Sequence, residues 1–386
     1  MQKNKKNTIL VTCGPGLAEY LRAELVELGH EIKSEHAGGI TVEGTAIDVM
    51  ELNLQLRTAY NVLWLLKEFT CKSPEQLYET INDMPWEEMI NPDEYLSIVS
   101  RVNTPTIDNT MFAGMKVKDA IVDRVNEKVG SRPDSGPERD CLVYNLYWQR
   151  DRCWLYLNTS GRKLSDRSYR KMPYLAPLRE SLAAGIVMAT GYDGSKAFVN
   201  PMCGSGTLAI EAALIATGRA CGLLRSNFGF MHELDFDKEL WQALRREAQK
   251  TTTKKIGRII ASDISQEAVR ATHSNAMTAG VDHLIEYDVC DFADTEIPEE
   301  GGVVVMNPEY GLRLGDQEEL IPKYKRMGDF LKQKCAGYEG YIFTGNMELA
   351  KKVGLKAKRR FIFFNGDIEC RLLKYELYAG TREKRD

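Results

Sequence analysis

The sequence lacks several features that would assign it to a broad class. It has no apolar run long enough to cross a membrane, and the apolar stretch behind its basic start is too short for a signal peptide. Its nine cysteines include no Cys-x-x-Cys pair, and its five histidines show no metal-ligand spacing. These absences argue against a membrane protein, a disulfide scaffold and a zinc module. They predict a cytoplasmic protein with free thiols and no metal.

The charge balance gives no overall attraction to nucleic acid. The 386 residues carry a net charge of −4, and their hydrophobic content of 43% is typical of soluble globular proteins. Any RNA binding therefore depends on local basic patches. Two stretches interleave basic and aromatic residues, "GRKLSDRSYRK" at 161–171 and "KKVGLKAKRRF" at 351–361. Each suits phosphate contacts combined with base stacking, and each also has the alternative reading of a solvated face.

The order of predicted elements divides the chain near residue 165. Before it lie two α+β units, the second ending in a β-hairpin around Gln149-Arg150-Asp151. A segment rich in Pro, Ser, Gly and charge follows. From Leu178 onward, helices alternate with six strands, "AFVNPM", "GRIIASDIS", "LIEYDVC", "GGVVVMNP", "GYIFTGN" and "KAKRRFIFFN". This alternation predicts an α/β fold with a mostly parallel, doubly wound sheet.

A glycine-rich turn lies between the first of these strands and the next helix. Gly204-Ser205-Gly206-Thr207 would let the backbone approach a ligand at a helix N-terminus. The next strand ends in Asp263, whose carboxylate can accept both hydroxyls of a ribose. A third strand end supplies Asp288 and Asp291 as acceptors for an adenine amino group, and of the two we favour Asp291. Acids at successive strand ends lie along one crevice, although each alone is more often a helix cap.

Other interpretations of this turn stay open. It could be a βα turn without a ligand, or a dinucleotide site, because it matches G-x-G-x-x-A. Asp263 lies 57 positions past Gly206 (263 − 206), whereas the dinucleotide fingerprint places its acid about 20 positions on. Cys203 could indicate covalent catalysis or simple packing. We favour packing, because the turn at 307–311 contains no cysteine.

The fourth strand runs into Asn307-Pro308-Glu309-Tyr310-Gly311. Here the chain resembles the class I S-adenosyl-L-methionine-dependent methyltransferases that methylate exocyclic amino groups of bases, whose motif is Asn/Asp-Pro-Pro-Tyr/Phe. The resemblance implies that the Asn307 oxygen and the Pro308 carbonyl accept the two N–H bonds of that amino group. It also implies that Tyr310 stacks on the extruded base. Glu309 stands where the family usually has Pro; it could take the departing proton, but we expect it to face outward.

Further segments extend the resemblance over nearly the whole chain. "VTCGPGLAEYLRAELVELGH", "LNTSGRKLSDRSYRKMPYLAPLRESLAAGIV" and "FNGDIECRLLKYEL" are similar to the THUMP-containing methyltransferases of bacterial 23S rRNA. The resemblance implies a ferredoxin-like segment at 1–65, a THUMP RNA-binding domain at 66–164 and a Rossmann-like class I methyltransferase domain at 165–386. The cofactor-binding residues that it implies are Asn200, Pro201, Cys203, Gly204, Gly206, Thr207, Asp263 and Asp291.

The predicted function is methyl transfer from S-adenosyl-L-methionine to guanine N2 in 23S rRNA. An adenine-N6 enzyme is the alternative within the same class. The family has an acid where this chain has Asn200, and this departure together with Glu309 motivates another alternative. That alternative is a catalytically decayed THUMP protein that binds RNA or assists ribosome assembly. The expected partner in each case is RNA, with no membrane and no metal.

Overall fold

The protein is described by a computed structural model covering residues 1, 5–107, 109–172, 177–250, 255–311 and 316–378, apart from the side chain of Asp316. The chain forms two compact units. The first unit comprises 1–13, 21–164 and 225–248, and the second comprises 14–20, 165–224 and 249–386. The range 165–386 thus includes a stretch, 225–248, that packs with the first unit. Among the described residues, no helix is both long and apolar enough to cross a membrane.

The first part of the chain alternates strands and helices. Its elements are β1 (Asn7–Cys13), α1 (Ala18–Glu27), β2 (Ile32–His36), β3 (Gly39–Gly44), α2 (Ala46–Gln55), β4 (Ala59–Thr70), α3 (Pro74–Asn82), β5 (Leu96–Asn103), α4 (Thr110–Val129), β6 (Leu142–Gln149) and β7 (Arg152–Asn158). A short 3₁₀ helix spans Trp86–Glu88.

These strands form one seven-stranded sheet in the order β2-β3-β1-β4-β7-β6-β5. The 12-residue strand β4 pairs with β1 on one side and β7 on the other, so one sheet runs through both predicted α+β units. The predicted hairpin is confirmed, because β6 and β7 pair antiparallel with Gln149 opposite Arg152.

The starts of two helices are encoded by residues next to them in the sequence. Thr45 and Asp48 form a reciprocal capping box at α2, and Ser73 caps α3 just ahead of Pro74.

The second part of the chain supplies the remaining elements. They are α5 (Glu180–Ala189), β8 (Ala197–Pro201), α6 (Thr207–Ala216), α7 (Lys238–Ala248), β9 (Ile259–Asp263), α8 (Gln266–Ala279), β10 (Ile285–Val289), β11 (Gly302–Met306), α9 (Asp316–Lys334), β12 (Glu339–Thr344), α10 (Met347–Ala350), β13 (Arg359–Asn365) and β14 (Ile368–Glu376). Short 3₁₀ helices span Cys221–Leu224, Gly229–His232, Asp282–Leu284, Phe292–Asp294 and Lys351–Val353. Helix α7 lies within the stretch that packs with the first unit.

The second sheet has the order β10-β9-β8-β11-β12-β14-β13. Its first five strands are parallel, and β14 runs antiparallel to both β12 and β13. The predicted mostly parallel, doubly wound sheet is therefore confirmed, with β14 as a seventh strand beyond the six predicted. The strand order reverses between β8 and β11, which pair directly. Open α/β sheets bind their ligands at such a switch point, beyond the carboxyl ends of the strands.

Strand β11 lies in the centre of the core of the second unit. Val304 and Met306 are fully buried against a cluster that includes Tyr324 and Phe330 of α9 and Tyr375 of β14. A strand buried on both faces reads as a continuous apolar run, which explains the sequence "GVVVM". The turn at 307–311 therefore leaves a rigid strand next to the switch point.

Candidate active site

The loop between β8 and α6 has a backbone that few residues can adopt. Three of its residues have positive φ: Met202 at 64°, Gly204 at 58° and Gly206 at 80°. A Cβ on Gly206 would lie 2.4 Å from the side-chain methyl of Thr272, so glycine is also needed there for space. At Gly204 a Cβ would meet no described atom within 4 Å. The loop thus packs tightly on α8 at one glycine and presents open backbone at the other.

Asp263, at the end of β9, is bonded to this loop. Its Oδ2 accepts a hydrogen bond from the backbone N–H of Gly204 at 3.0 Å, and its Oδ1 accepts one from Ser265 at 3.0 Å. The hydroxyl of Thr272 donates to the Gly204 carbonyl at 2.9 Å. These bonds fix the carboxylate beside the glycine loop. An ionised carboxylate has about four acceptor positions, so it retains capacity for ribose hydroxyls.

Asn200 connects the two strands of the switch point. It is 1% exposed, and its Nδ2 donates to the Val305 carbonyl of β11 at 2.9 Å. Its Oδ1 is buried and accepts no hydrogen bond from the part of the chain that the structure describes. Buried polar atoms are nearly always paired, so this oxygen fits a ligand donor such as an amino group. The departure from an acid at this position therefore preserves an acceptor while removing a charge.

Pro201, Cys203 and Thr207 complete the loop. Pro201 ends β8 opposite Ser262, and the Cys203 N–H donates to the Ser262 carbonyl at 2.9 Å. Burial raises the pKa of the Cys203 thiol to about 12, which is unsuited to a nucleophile near neutral pH. Thr207 begins α6, so its N-terminal N–H groups adjoin the loop. The structure supports packing as the role of Cys203.

At the third strand end, the two acids Asp288 and Asp291 differ in their surroundings. Asp291 caps a 3₁₀ helix, accepting from the Ala293 N–H at 2.9 Å, and is also ion-paired with Arg326 at 2.7 Å. Asp288 is exposed on β10. The N–H of Cys290 donates to the Asp263 carbonyl at 3.1 Å, so this strand end adjoins that of β9. The adenine contact of Asp291 stays a prediction, and its observed bonds are those of a cap.

Two apolar residues in this crevice were missed at the sequence level. Ile264 follows Asp263 and is 73% exposed, and Val289 ends β10 with 48% of its surface exposed. Their exposure at the ends of β9 and β10 fits an apolar ligand face such as an adenine ring. The sequence carried no signal for this exposure, because it depends on packing.

The turn after β11 brings the three predicted catalytic residues together. The Tyr310 hydroxyl donates to Asn307 Oδ1 at 3.1 Å, and Pro308 between them is buried. Asn346 holds the turn by donating from Nδ2 to the Tyr310 carbonyl at 2.9 Å. Burial raises the pKa of the Tyr310 hydroxyl well above its usual range, so the ring carries no charge. This geometry offers an amide oxygen, a backbone turn and an aromatic ring at one point.

Glu309 faces outward, as the sequence analysis expected. Its side chain is 64% exposed, and both carboxylate oxygens accept from Lys323 Nζ, at 2.7 and 3.0 Å. Partial burial opposes the charge, but the hydrogen bond and charge of Lys323, together with a backbone hydrogen bond, outweigh it and lower the pKa of the carboxyl. The Glu309 carbonyl accepts from the Tyr324 hydroxyl at 3.0 Å. The turn thus keeps its anchor to α9 although proline is replaced.

Two residues of the predicted RNA-binding patch at 161–171 are corrected by the structure. Arg167 and Tyr169 are each 1% exposed, and both bind the buried carboxylate of Glu211, Arg167 as an ion pair and Tyr169 through its hydroxyl at 3.0 Å. The Arg167 charge and the Tyr169 ring are buried and paired with Glu211, where they hold residues 165–170 against α6. They therefore cannot contact RNA. The second patch is exposed at its basic residues, namely Lys351, Lys352, Lys356, Lys358, Arg359 and Arg360.

Three family profiles match successive parts of the chain. Residues 8–63 match the RlmL ferredoxin-like domain, residues 71–158 match the THUMP domain, and residues 167–374 match the RMKL-like methyltransferase domain.

Similar proteins cover nearly the whole chain. Ribosomal RNA large subunit methyltransferase K/L of Syntrophotalea carbinolica is 37% identical over 95% of this chain and 53% of its own length. The chain thus spans about half the length of the K/L relatives it matches. A Synechocystis protein with the provisional name RNA methyltransferase slr0064 is 34% identical over 95% of this chain and 96% of its own length.

Solved structures give the same picture. A possible methylase from Clostridium difficile 630 has a TM-score of 0.86 at 28% identity, covering 98% of this chain and 100% of its own. SMU.472, provisionally described as a methyltransferase and solved in complex with SAH, has a TM-score of 0.86 at 25% identity, covering 99% and 100%. A predicted N6-adenine-specific DNA methylase from Listeria monocytogenes has a TM-score of 0.86 at 29% identity, covering 97% of each chain.

Proposed function

The chain belongs to the RMKL-like methyltransferase family, and from this premise we propose that it transfers a methyl group from S-adenosyl-L-methionine to the N2 amino group of a guanosine in 23S rRNA. The observation that carries the proposal is the pairing of β8 with β11. It brings the glycine loop that follows one strand next to the Asn307-Pro308-Glu309-Tyr310 turn that follows the other. A cofactor and a base held at these two places would meet at the switch point.

The residues of the crevice fit the cofactor. The buried Oδ1 of Asn200 would accept from the amino group of its methionine part, and Asp263 would accept from its ribose hydroxyls. The exposed Ile264 and Val289 would cover its adenine. When bound, the cofactor supplies an electrophilic methyl group on a sulfonium. The similar protein SMU.472 was solved with SAH, the product form of this cofactor, which supports the assignment.

The turn at 307–310 would prepare the base for attack. The lone pair of an exocyclic amino group is delocalised into the ring, so the nitrogen is a weak nucleophile. Asn307 Oδ1 and the Pro308 carbonyl would accept its two N–H bonds and draw the lone pair toward the methyl group. Tyr310 would stack on the extruded base. Much of the rate would come from positioning, so no strong general base is required.

The first unit would deliver the RNA. Residues 1–65 and 66–164 would act as the ferredoxin-like and THUMP parts, with 165–386 as the catalytic domain. RNA methyltransferase names among the relatives favour RNA over DNA as substrate. The Listeria structure, described as N6-adenine-specific, keeps adenine N6 as the alternative acceptor. We place the protein in the cytoplasm on the same reasoning, since rRNA would be its substrate.

The first test is a calorimetric titration of the full chain with S-adenosylhomocysteine. We expect one-site binding that is lost in Asp263→Ala, because that carboxylate would hold the ribose. Asp329→Ala is the control, since this exposed acid on α9 lies 3.8 Å from Lys332 and outside the crevice. Absence of binding in a protein that still binds structured RNA would favour the decayed alternative.

The second test identifies the base. The protein and labelled cofactor are incubated with 23S rRNA lacking modifications, and the digested nucleosides are analysed by mass spectrometry. Detection of N2-methylguanosine would support the proposal. Detection of N6-methyladenosine would mean that adenine N6 is the methyl acceptor, with the same mechanism. Loss of product in Asn307→Ala with cofactor binding retained would assign the turn to the base.

A further inference from the structure

Three side chains with metal-binding chemistry meet within the first unit. They are Glu94, Cys141 and His232, and one ligand atom of each lies within 4.8 Å of the other two. In the described part of the chain, no other three residues of these types bring their ligand atoms within this distance. They come from separate segments: the turn before β5, the residue before β6 and the end of the 3₁₀ helix Gly229–His232. Sequence spacing could not reveal this Glu94–Cys141–His232 cluster.

The hydrogen bonds of His232 indicate which ring nitrogen faces the cluster as an acceptor. Asn227 donates from Nδ2 to the Asp140 carbonyl at 2.5 Å, which turns its Oδ1 toward the imidazole. His232 Nε2 lies 2.9 Å from that oxygen and therefore carries a hydrogen. Nδ1 lies 2.5 Å from Glu94 Oε1. A ring nitrogen and a carboxylate oxygen at this distance share a proton, and a metal ion bound to both atoms would hold them further apart.

Cys141 favours the metal ion over the proton. Its sulfur lies within 4.8 Å of the ligand atoms of both Glu94 and His232. A shared proton between His232 and Glu94 would give this sulfur no partner in the cluster. A divalent cation would bind all three groups, replace the thiol proton and offset the carboxylate charge. Sulfur, nitrogen and oxygen donors together suit zinc.

The geometry allows zinc after a small adjustment. Zinc bonds of about 2.0–2.3 Å place tetrahedral donors about 3.4 Å apart, so the ring and the carboxylate would separate by about 1 Å. The side chains of His232 and Glu94 are 23% and 24% exposed, which leaves room for this movement. A histidine ligand usually donates its other N–H to a fixed acceptor, and Asn227 already occupies that position.

We propose that Glu94, Cys141 and His232 bind a zinc ion through a carboxylate oxygen, the thiolate sulfur and Nδ1, with water as fourth ligand. The ion would tie residues 225–248 to the sheet of the first unit at the starts of β5 and β6. This site is independent of methyl transfer. Binding releases two protons to solvent, the thiol proton and the proton shared by His232 and Glu94, and forms one bond from each donor to the metal, with no change of oxidation state.

The test is the zinc content of the untagged full chain, purified after growth with added zinc and passed through a weak chelator. We expect about one zinc per chain, falling about tenfold or more in Cys141→Ser and in His232→Gln. Cys290→Ser and His283→Gln are matched controls, because they remove a half-buried thiol and an exposed imidazole outside the cluster. Asn227→Ala should bind zinc about tenfold more weakly, since it releases the ring from its fixed orientation.

Cobalt provides a reading that does not depend on the variants folding equally well. Cobalt added to the zinc-free wild-type chain should give the near-ultraviolet charge-transfer band of a thiolate–cobalt bond, and Cys141→Ser should abolish it. Zinc should also raise the Tm of the wild type and leave that of Cys141→Ser unchanged. Substoichiometric zinc in the wild type without a cobalt band would overturn the proposal. Equal zinc content in wild type and Cys141→Ser would overturn it too.

Discussion

At the scale of single residues, the Tyr310 hydroxyl competes with the proposed substrate for the side-chain oxygen of Asn307. The hydroxyl donates to Oδ1 at 3.1 Å, on the same atom that would accept an N–H bond of the base. An amide oxygen can accept two hydrogen bonds, so the two donors either share it or exchange. The ring of Tyr310, and not its hydroxyl, is the part that stacking requires.

We therefore predict opposite outcomes for two substitutions of Tyr310. Tyr310→Phe keeps the ring and frees the Asn307 oxygen, so kcat/KM for rRNA should stay unchanged or rise by up to about tenfold, the worth of one hydrogen bond. Tyr310→Ala removes the stacking partner, which is worth about 1–3 kcal/mol, so kcat/KM should fall about 5–150-fold. Single-turnover methyl transfer measures both. A fall in Tyr310→Phe as deep as in Tyr310→Ala would mean that the hydroxyl itself takes part.

We expect the Nδ2 of Asn200 to stabilise the fold and its Oδ1 to bind the cofactor. In Asn200→Leu, the Val305 carbonyl loses its partner, which should cost about 1–3 kcal/mol of unfolding free energy. Loss of the Oδ1 acceptor should weaken binding of S-adenosylhomocysteine about tenfold or more, because the bond would be to a charged amino group. Calorimetry and thermal unfolding separate the two effects. Asn145→Leu, at a buried asparagine in β6, is the control and should leave the affinity unchanged.

At the scale of elements, the β8–α6 connection shows why glycine is required at two positions for different reasons. Gly206 needs both its positive φ and the absence of a Cβ against Thr272, while Gly204 needs its φ and lies in open space. The requirement at Gly206 comes from packing within the fold, whereas the open space at Gly204 lets a ligand approach the backbone.

Alanine substitutions should separate these requirements. Gly218→Ala is the control, because Gly218 has a φ of 66° and no described atom near an added Cβ, so only strain of about 1–2 kcal/mol is expected. Gly204→Ala should cost the same stability and lower cofactor affinity by at least about tenfold. Gly206→Ala should lose about 1–3 kcal/mol more than the control through overpacking. Thermal unfolding and calorimetry with S-adenosylhomocysteine measure these values, and equal affinity in all three would remove Gly204 from the cofactor site.

At the scale of the whole molecule, the proposed RNA binding would have to come from part of the basic residues, because others are paired within the protein. Arg167 is buried in its pair with Glu211, and Lys323 and Lys358 pair with Glu309 and Glu376. The exposed Lys352 and Lys356 remain as candidates for phosphate contacts.

We predict that Lys352→Gln and Lys356→Gln each weaken binding of 23S rRNA fragments without changing sequence preference. Each should reduce the slope of log affinity against log salt by about 1, since each phosphate contact releases counterions. Binding measured over a series of salt concentrations gives the slope. Lys33→Gln is the control, because Lys33 already lies 3.0 Å from Glu31 and 3.6 Å from Glu43. Equal slopes in all four proteins would place the RNA on another surface.

Much of the second half of the chain was predictable because its signals are local. The alternation of helices and strands predicted the doubly wound sheet, and strand ends carrying Asp263 and Asn307 indicated the crevice, since parallel strands end at one edge. Strand β14 was not predicted, because an antiparallel return at Gly366 breaks the alternation on which the prediction relied. The exposure of Ile264 was equally beyond reach, because accessible surface depends on packing.

The sequence by itself determined the family, the fold class and the chemistry of the strand ends, because these depend on residue types in order along the chain. Only the tertiary structure decided which charged and polar groups are paired within the protein and which can still bind a ligand. It buried Arg167 and Tyr169 with Glu211, turned Glu309 toward Lys323 and left Asn200 Oδ1 without a donor in the described chain. It also brought Glu94, Cys141 and His232 together across 138 positions. Burial and pairing arise from contacts between segments distant in sequence, and no local pattern encodes them.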